Sequence, residues 1–377
     1  MSQPLDGITV VALEQAVAAP FATRQLADLG ARVIKIERDS GDFARGYDAS
    51  VKGMASYFVW LNRGKESVVM DLKQPDDFAM LKRIVAEADV LVQNLAPGAL
   101  DRLGLTAKIA HELNPRLIYV SISGYGEGGD YEKKKAYDLL VQCESGLLSV
   151  TGTEDVPAKA GISIADISAG MYAFSGVLTA LIQRGKTGLG DNLEVSMLEA
   201  MGEWMSQPTY LAKYSGSGPG RTGAQHATIA PYGPFAVLDG SVFLAVQNER
   251  EWKRFCGLVL GRPEVATDPR FLSNTLRVEN RAELHSIIEG VFARFTLSES
   301  IDVLEDAQIA SAQLRTMSDF AEHPQLKARN RWRDIDSPVG TLSVLLPPVT
   351  STNMEPVMGA VPSIGQHTES IRREFDL

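Results

Sequence analysis

The sequence predicts an α/β protein built on a parallel sheet, followed by a second, smaller region. Short β-branched runs alternate with amphipathic helical stretches through the first third of the chain, and turn-forming residues separate them. At "KYSGSGPGRTGAQ" the composition changes to Gly, Ser and basic residues, which marks the end of a linker.

"ITVVAL" reads as the first strand. "FATRQLADLG" reads as a helix ended by Gly30, because glycine tolerates the left-handed backbone of a helix C-terminus. "RVIKIE" and "ESVVMDL" are the next strands. "QPDDFAMLKRIVAEA" has Pro75 and two acids in its first turn, and Phe78, Leu81, Ile84, Val85 and Ala88 share one helical face. "DVLVQNL" follows as strand, "TAKIAHELN" as helix and "RLIYVSIS" as strand, and "GYGEGGDYEKKKAYD" is a surface loop leading into Tyr137 and Asp138. "GMYAFSGVLTALIQR" is apolar almost all round, as a buried helix would be, and "DNLEVSML" resumes strand character. In the second region, "PYGPFAVLDGSVFLAV" is a pair of strands turning at Asp239–Gly240. Leu284, Ile287, Ile288, Val291, Phe292 and Phe295 then form an amphipathic stripe, and "GTLSVLLPPVTST" reads as strand and extended chain.

The bulk numbers narrow the function. A chain of 377 residues is long for one core, and 45% hydrophobic with 22% charged residues describes a globular protein. A net charge of -10 argues against a nucleic-acid surface and leaves room for local basic pockets around a phosphorylated small molecule. Two distant cysteines, Cys143 and Cys256, fit a reducing compartment. "MSQPLDGITVVALE" does not read as a signal peptide, and no uninterrupted apolar run reaches membrane-spanning length, so the expectation is a cytoplasmic protein with no membrane partner.

Several common chemistries lack their residues. "EQAVAAPFA" follows the first strand where a dinucleotide-binding loop would carry Gly-x-Gly-x-x-Gly. "RGKTG" imitates part of a phosphate loop, but Ala180 stands where its first glycine belongs, and a helix precedes the match. No Gly-x-Ser-x-Gly elbow is present. His111, His226, His285, His323 and His367 are scattered, with no pair at metal-ligand spacing, so no metal site is expected. What remains is "AGISIADISAG", residues 160–170, whose one acid, Asp166, stands directly ahead of an apolar run. From the residues alone Asp166 is either a helix cap or a nucleophile.

The segments "LDGITVVALEQAVAAPFATRQLADLGARVIKIER", "SYFVWLNRGKESVVMDLK", "VLVQNLAPGALDRLGL", "NPRLIYVSISGYG", "IADISAGMYA" and "RGKTGLGDNLEVSMLEA" together resemble the family III CoA-transferases, whose relatives include the 2-methylacyl-CoA racemases. The resemblance is strong over residues 4–200 and weak beyond. It implies a large Rossmann-like domain, a smaller α+β domain and two chains interlocked as a homodimer. On this chain that means residues 1–200 in the large domain, 201–224 as linker, 225–325 as small domain and 335–377 returning to the large domain.

The resemblance also implies roles. Asp166 would be the nucleophile that attacks an acyl-CoA thioester, passing through an acyl–aspartyl anhydride and an aspartyl-CoA thioester. An aspartate with an ordinary pKa of about 3.9 is ionised at neutral pH and needs no neighbouring base. Small neighbours Ala165, Ser168, Ala169 and Gly170 would leave room for the thioester, and backbone N–H groups at the helix start would hold the anion. Arg38, Lys73, Asn94 and Arg102 look like CoA contacts, with Tyr137 and Met197 beside them near the nucleophile. Tyr47 and Tyr57 would face the acyl group. Arg45, Arg221, Gln225 and His226 are candidates for a distal carboxylate, and Gly233 is the lone glycine of the segment that closes the site. Tyr137 stands where the racemases have a histidine, which favours transfer, since racemisation needs two bases. Gln15, Ala16, Val17 and the non-glycine closure depart from the formyl-CoA transferases and point away from oxalate. "GRTGAQHATIAPYGPF" looks most like members acting on itaconate, mesaconate, malate or citramalate with succinyl-CoA. Intramolecular transfer within mesaconyl-CoA and 2-methylacyl-CoA racemisation are the alternatives. CoA enters as a substrate and no separate cofactor is expected.

Overall fold

Val- and Ile-rich runs pair into one parallel sheet. The computed structural model describes residues 3–375, in two units: 3–147 with 160–207 and 325–375, and 148–159 with 208–324. The first unit opens with β1 (Thr9–Leu13), α1 (Ala18–Asp28), β2 (Arg32–Glu37), α2 (Ser56–Asn62), β3 (Lys65–Val69), α3 (Pro75–Glu87) and β4 (Val90–Gln93). It continues with α4 (Ala99–Arg102), α5 (Ala107–Leu113), β5 (Ile118–Ser123) and α6 (Asp138–Glu144). After the short helix α7 (Leu147–Val150) come α8 (Ile164–Thr187), β6 (Asp191–Ser196) and α9 (Met197–Trp204).

The six strands lie in the order β3-β2-β1-β4-β5-β6, all parallel, with Val11 opposite both Ile34 and Leu91. That is the Rossmann order, and its direction of winding reverses between β1 and β4. Side chains of β1, β2, β4 and α3 form a core in which Val11, Ile34, Ile84 and Leu91 are fully buried. The C-terminal segment closes the β3 edge: His367 Nδ1 accepts from Ser67 N at 3.1 Å and Thr368 Oγ1 from Val69 N at 3.0 Å. Those edge donors would otherwise offer a template for another strand.

α8 is where the sequence expectations need correction. It is 24 residues long and, by length and composition, apolar enough to cross a membrane, although Asp166, Gln183, Arg184 and Lys186 interrupt its apolar run. Within its unit it packs on α1, α6, α9, β5 and β6, and Arg184 pairs with Asp89 at 2.8 Å. It is also not buried all round, since Met171, Tyr172 and Ile182 are exposed. The small residues have a packing cause. Ala165, Ser168, Ala169 and Gly170 are buried, and a Cβ added at Gly170 would stand 2.6 Å from the Ala18 carbonyl oxygen of α1. They bring two helices close together and do not open substrate space.

The second unit carries an antiparallel sheet, β7 (Tyr232–Val237), β8 (Gly240–Ala245) and β9 (Ala310–Gln313), in the order β7-β8-β9. Helices Arg281–Phe292 and Leu297–Asp306 pack on it around Trp252, Phe255, Phe271 and Phe292. The expected linker at 201–224 is largely helix: α9 runs to Trp204, and a further helix spans Ser206–Ser215. Helix-forming residues extend to Leu211, and only beyond Ser215 does the Gly-rich composition take over.

Candidate functional site

Loops that leave the C-terminal ends of β1 to β4 must diverge where the winding reverses, and that opens a crevice. The crevice holds about 380 Å3 and is lined by Leu13, Ile36, Met70 and Leu95 beneath Arg38, Lys73 and Arg102. Each of these cations follows a different strand, so residues 35 apart in sequence meet around one space. Arg38 and Lys73 are exposed and have no ion pair among the described residues. Arg102 donates to the Pro97 carbonyl at 3.2 Å. Apolar walls below mobile cations suit a ligand with a flat ring and phosphates.

A second cleft of about 640 Å3 adjoins it, sharing Gln15 and Leu95. Phe43, Tyr47 and Tyr57 line one side, Tyr137 and Leu139 another, and Met197 and Asp166 the remainder. The Tyr47 and Tyr57 rings meet edge-on at 5.7 Å, and the Tyr57 hydroxyl is 3.2 Å from Ser163 Oγ. Tyr137 is 68% exposed, so packing alone does not account for it. Ala16, at φ 60, puts the turn between β1 and α1 into the left-handed region, a conformation that costs a non-glycine residue about 1–3 kcal/mol. Asp42 Oδ1 accepts the Ala16 N–H at 3.1 Å and helps to hold it there.

Asp166 is the third residue of α8 and does not cap it. Ser163, at the cap position, makes no capping hydrogen bond either, its hydroxyl being directed to Tyr57. A carboxylate from another helix does the work: Asp138 Oδ1 accepts from Ala165 N at 2.8 Å and Asp166 N at 3.4 Å, while its Oδ2 accepts from Gln142 Nε2 at 2.7 Å. Gln142 Oε1 accepts from Ala160 N at 2.9 Å, so one face of α6 grips both ends of the 160–166 stretch. This frees the Asp166 carboxylate, which has no hydrogen-bond partner among the described residues and faces the cleft. Burial, and then the charge of Asp138, push its carboxyl up to about 7, so the expectation of an ordinary acid fully ionised at neutral pH is corrected. Burial and the charges of Asp42 and Asp166 likewise push the Tyr47 phenol up to about 12.

Beneath the same turn lies a buried ion network. Lys65 Nζ meets Glu14 Oε1 at 2.6 Å, and Lys35 Nζ meets Asp42 Oδ2 at 2.9 Å and Glu14 at 3.3 Å. Burial works against the Glu14 charge, but the two lysines outweigh it and lower the Glu14 pKa. Burial pulls Lys65 down to about 7 against the attraction of Glu14.

The structure also fixes where the other expected residues lie. Arg45 holds Glu37 through two hydrogen bonds, at 2.7 and 2.8 Å, and its guanidinium sits 3.6 Å from the centre of the Phe58 ring, so it is not free for a substrate carboxylate. Burial opposes the Glu37 charge, yet Arg45 and Lys35 bring that carboxyl to about 2. The Asn94 amide is spent on the backbone: Oδ1 accepts from Gln15 N and Nδ2 donates to Gln15 O, both at 2.9 Å. It lines the cleft as a clamp between two loops. Gln225, His226 and Gly233 lie in the second unit. There Gln225 Oε1 accepts from Arg281 at 3.2 Å, His226 stacks on Tyr232 at 5.0 Å, and Arg221 donates to the Thr153 carbonyl at 2.8 Å. Sequence reasoning passed over Asp138 and Lys135. Lys135 lines the cleft with no ion pair among the described residues, whereas neighbouring Lys134 is held by Glu144 at 2.5 Å. The run "KKAYD" just ahead of a helix was the available signal.

Comparison with known proteins places the chain in a family. The model of CoA-transferase family III matches residues 5–368. A succinate–glutarate CoA-transferase of Agrobacterium fabrum is 33% identical over 99% of this chain and 96% of its own. An acetyl-CoA:oxalate CoA-transferase of Acetobacter aceti is 37% identical over 87% of this chain and 85% of its own. Among solved structures, a CAIB/BAIF family protein from Brucella suis superposes with a TM-score of 0.87 at 33% identity, covering 100% of both chains. The chain belongs to CoA-transferase family III and is an enzyme that transfers CoA.

Proposed function

We propose that this CoA-transferase moves CoA from succinyl-CoA to a small dicarboxylic acid, with Asp166 as the covalent carrier. A half-buried carboxylate with no hydrogen-bond partner among the described residues, lining an aromatic cleft that adjoins a cationic crevice, is the observation that carries the reading. Arg38, Lys73 and Arg102 face the CoA phosphates, and the cofactor arm runs past Gln15 and Leu95 to Asp166. An Asp166 oxygen attacks the thioester carbon, and the C–S bond breaks with its electron pair leaving on the CoA thiolate. The thiolate then attacks the aspartyl carbonyl of the anhydride and expels the donor acid as a carboxylate. An acceptor carboxylate runs the two steps in reverse and leaves as the new thioester.

The dicarboxylate reading rests on Lys135 in the cleft and on relatives named for glutarate and citramalate. The acceptor is a C4–C5 acid such as itaconate, mesaconate, malate or citramalate. Because a relative named for oxalate is 37% identical, oxalate belongs in the acceptor panel. Exposed Leu140, Met171, Ile182 and Trp204 are apolar side chains of the first unit that we assign to contact with a second copy of the chain. Sedimentation should then give a dimer.

Incubation with succinyl-CoA and that panel of acids is the direct test. New acyl-CoA species in the acid-containing samples are expected. Solvent deuterium at the α-carbon of a 2-methylacyl-CoA, with no transfer, would replace this reading with racemisation.

A further inference from the structure

We propose that Asp138 is a positioning residue for Asp166, holding the nucleophile's helical turn while keeping a second negative charge beside its free carboxylate. The proposal rests on the covalent reading of Asp166 given above. Its geometric basis is the hydrogen bonding from Asp138 to Ala165 N and Asp166 N, with Gln142, fully buried, orienting the other carboxylate oxygen.

A helix N-terminus needs an acceptor for its free N–H groups, and a neutral side chain on Ser163 or Asn would suffice. Here the acceptor is charged, comes from a different helix and lies next to the nucleophile. Other groups in the cleft do not offset that charge. Lys134 is held by Glu144, Asp48 is fixed by Ser56 Oγ at 2.7 Å, and Tyr47, Tyr57 and Tyr137 are phenols. Lys135 is exposed, where solvent screens it. α1 and α9 bring Ala18 and Met197 to the cleft, and neither carries a charge. Burial and Asp138 together raise the proton affinity of Asp166.

The consequence concerns the reaction cycle. Above about pH 7 free Asp166 is an anion and is repelled by Asp138. In the anhydride and in the aspartyl-CoA thioester the same side chain is neutral, so the repulsion is gone. Asp138 therefore disfavours the free carboxylate relative to both covalent forms and makes the carboxylate a more basic nucleophile. The factor that raises the proton affinity is the factor by which acylation is favoured, about tenfold for each pH unit.

Asp138→Asn keeps an acceptor oxygen and removes the charge, and Asp138→Glu restores the charge. For the wild type, kcat/KM should fall as pH drops through about 7. In Asp138→Asn that acid limb should move down by about one pH unit. With succinyl-CoA and no acceptor acid, intact-protein mass spectrometry should show the ratio of acylated to free enzyme falling about tenfold at pH 8. Asp138→Glu should recover both. An acid limb unmoved in Asp138→Asn, with folding intact by thermal melting, overturns the role of Asp138. A wild-type enzyme with no adduct on Asp166 overturns the covalent reading, and this inference with it.

Discussion

Two groups of buried carboxylates sit within the first unit, and the chain treats them in opposite ways. Around Lys35 and Lys65, each buried acid has a cation: Glu14 has both lysines, Asp42 has Lys35 and Glu37 has Arg45. Around Asp166, two half-buried acids stand together and no cation among the described residues is paired with either. The first arrangement lowers the Glu14 and Glu37 carboxyls, while the second raises Asp166 to about 7. A fold able to neutralise three buried acids leaves Asp166 unpaired, which fits a nucleophile better than a structural acid.

Removing Asp166, the proposed nucleophile, breaks the comparison most directly. Asp166→Ala should lower kcat by about 10⁴-fold, read as loss of CoA exchange between succinyl-CoA and the acceptor acid. It should not cost stability. Because the folded-state carboxyl is raised above its unfolded value, Asp166 disfavours the fold increasingly as pH rises from about 3.8, and fully above about 7. Asp166→Asn should therefore melt higher than wild type at pH 8, by about 2 °C, and match it at pH 4. A variant that melts lower at pH 8 would show that Asp166 is a structural residue.

The paired group should respond in the reverse sense. Lys35→Met leaves Asp42, and partly Glu14, buried without a cation, and should cost about 3–5 kcal/mol in denaturant unfolding. The depressed Glu37 carboxyl contributes stability that is present above its unfolded pKa near 4.5 and lost as pH falls toward about 2, and the depressed Glu14 carboxyl acts in the same direction. Gly170→Ala probes the helix contact that sets the nucleophile against α1. Its Cβ would meet the Ala18 carbonyl at 2.6 Å, and the two backbones must part at a cost of about 1–3 kcal/mol in the same experiment. Lys135→Met should give the smallest effect. KM for the dicarboxylic acid should rise about tenfold while KM for a monocarboxylate stays unchanged. Equal changes for both acids would remove Lys135 from the distal-carboxylate role.

Much of the first unit was legible because its signals are local. β-Branched runs, Pro75 at a helix start and Gly30 at a helix end each act within a few residues. Arg38, Lys73 and Arg102 were marked by the family resemblance alone, and the fold brings all three to one crevice. The errors fall where a side chain's partner is distant or unmarked. Arg45 looked free until the fold turned it onto Glu37. Asn94 looked available until it closed on Gln15, 79 residues away. At 201–212 the Gly-rich composition just downstream obscured helix-forming residues.

By itself the sequence determined the α/β alternation and the lone acid in a small-residue stretch. These follow from propensity, periodicity and residue type, which the chain carries locally. Only the tertiary structure decided what surrounds that acid. The Asp138 carboxylate reaches the start of α8 from 27 residues away, and Gly170 lets α1 approach. The proton affinity of Asp166 is set by lost water and a neighbouring charge, and both depend on which helices pack together.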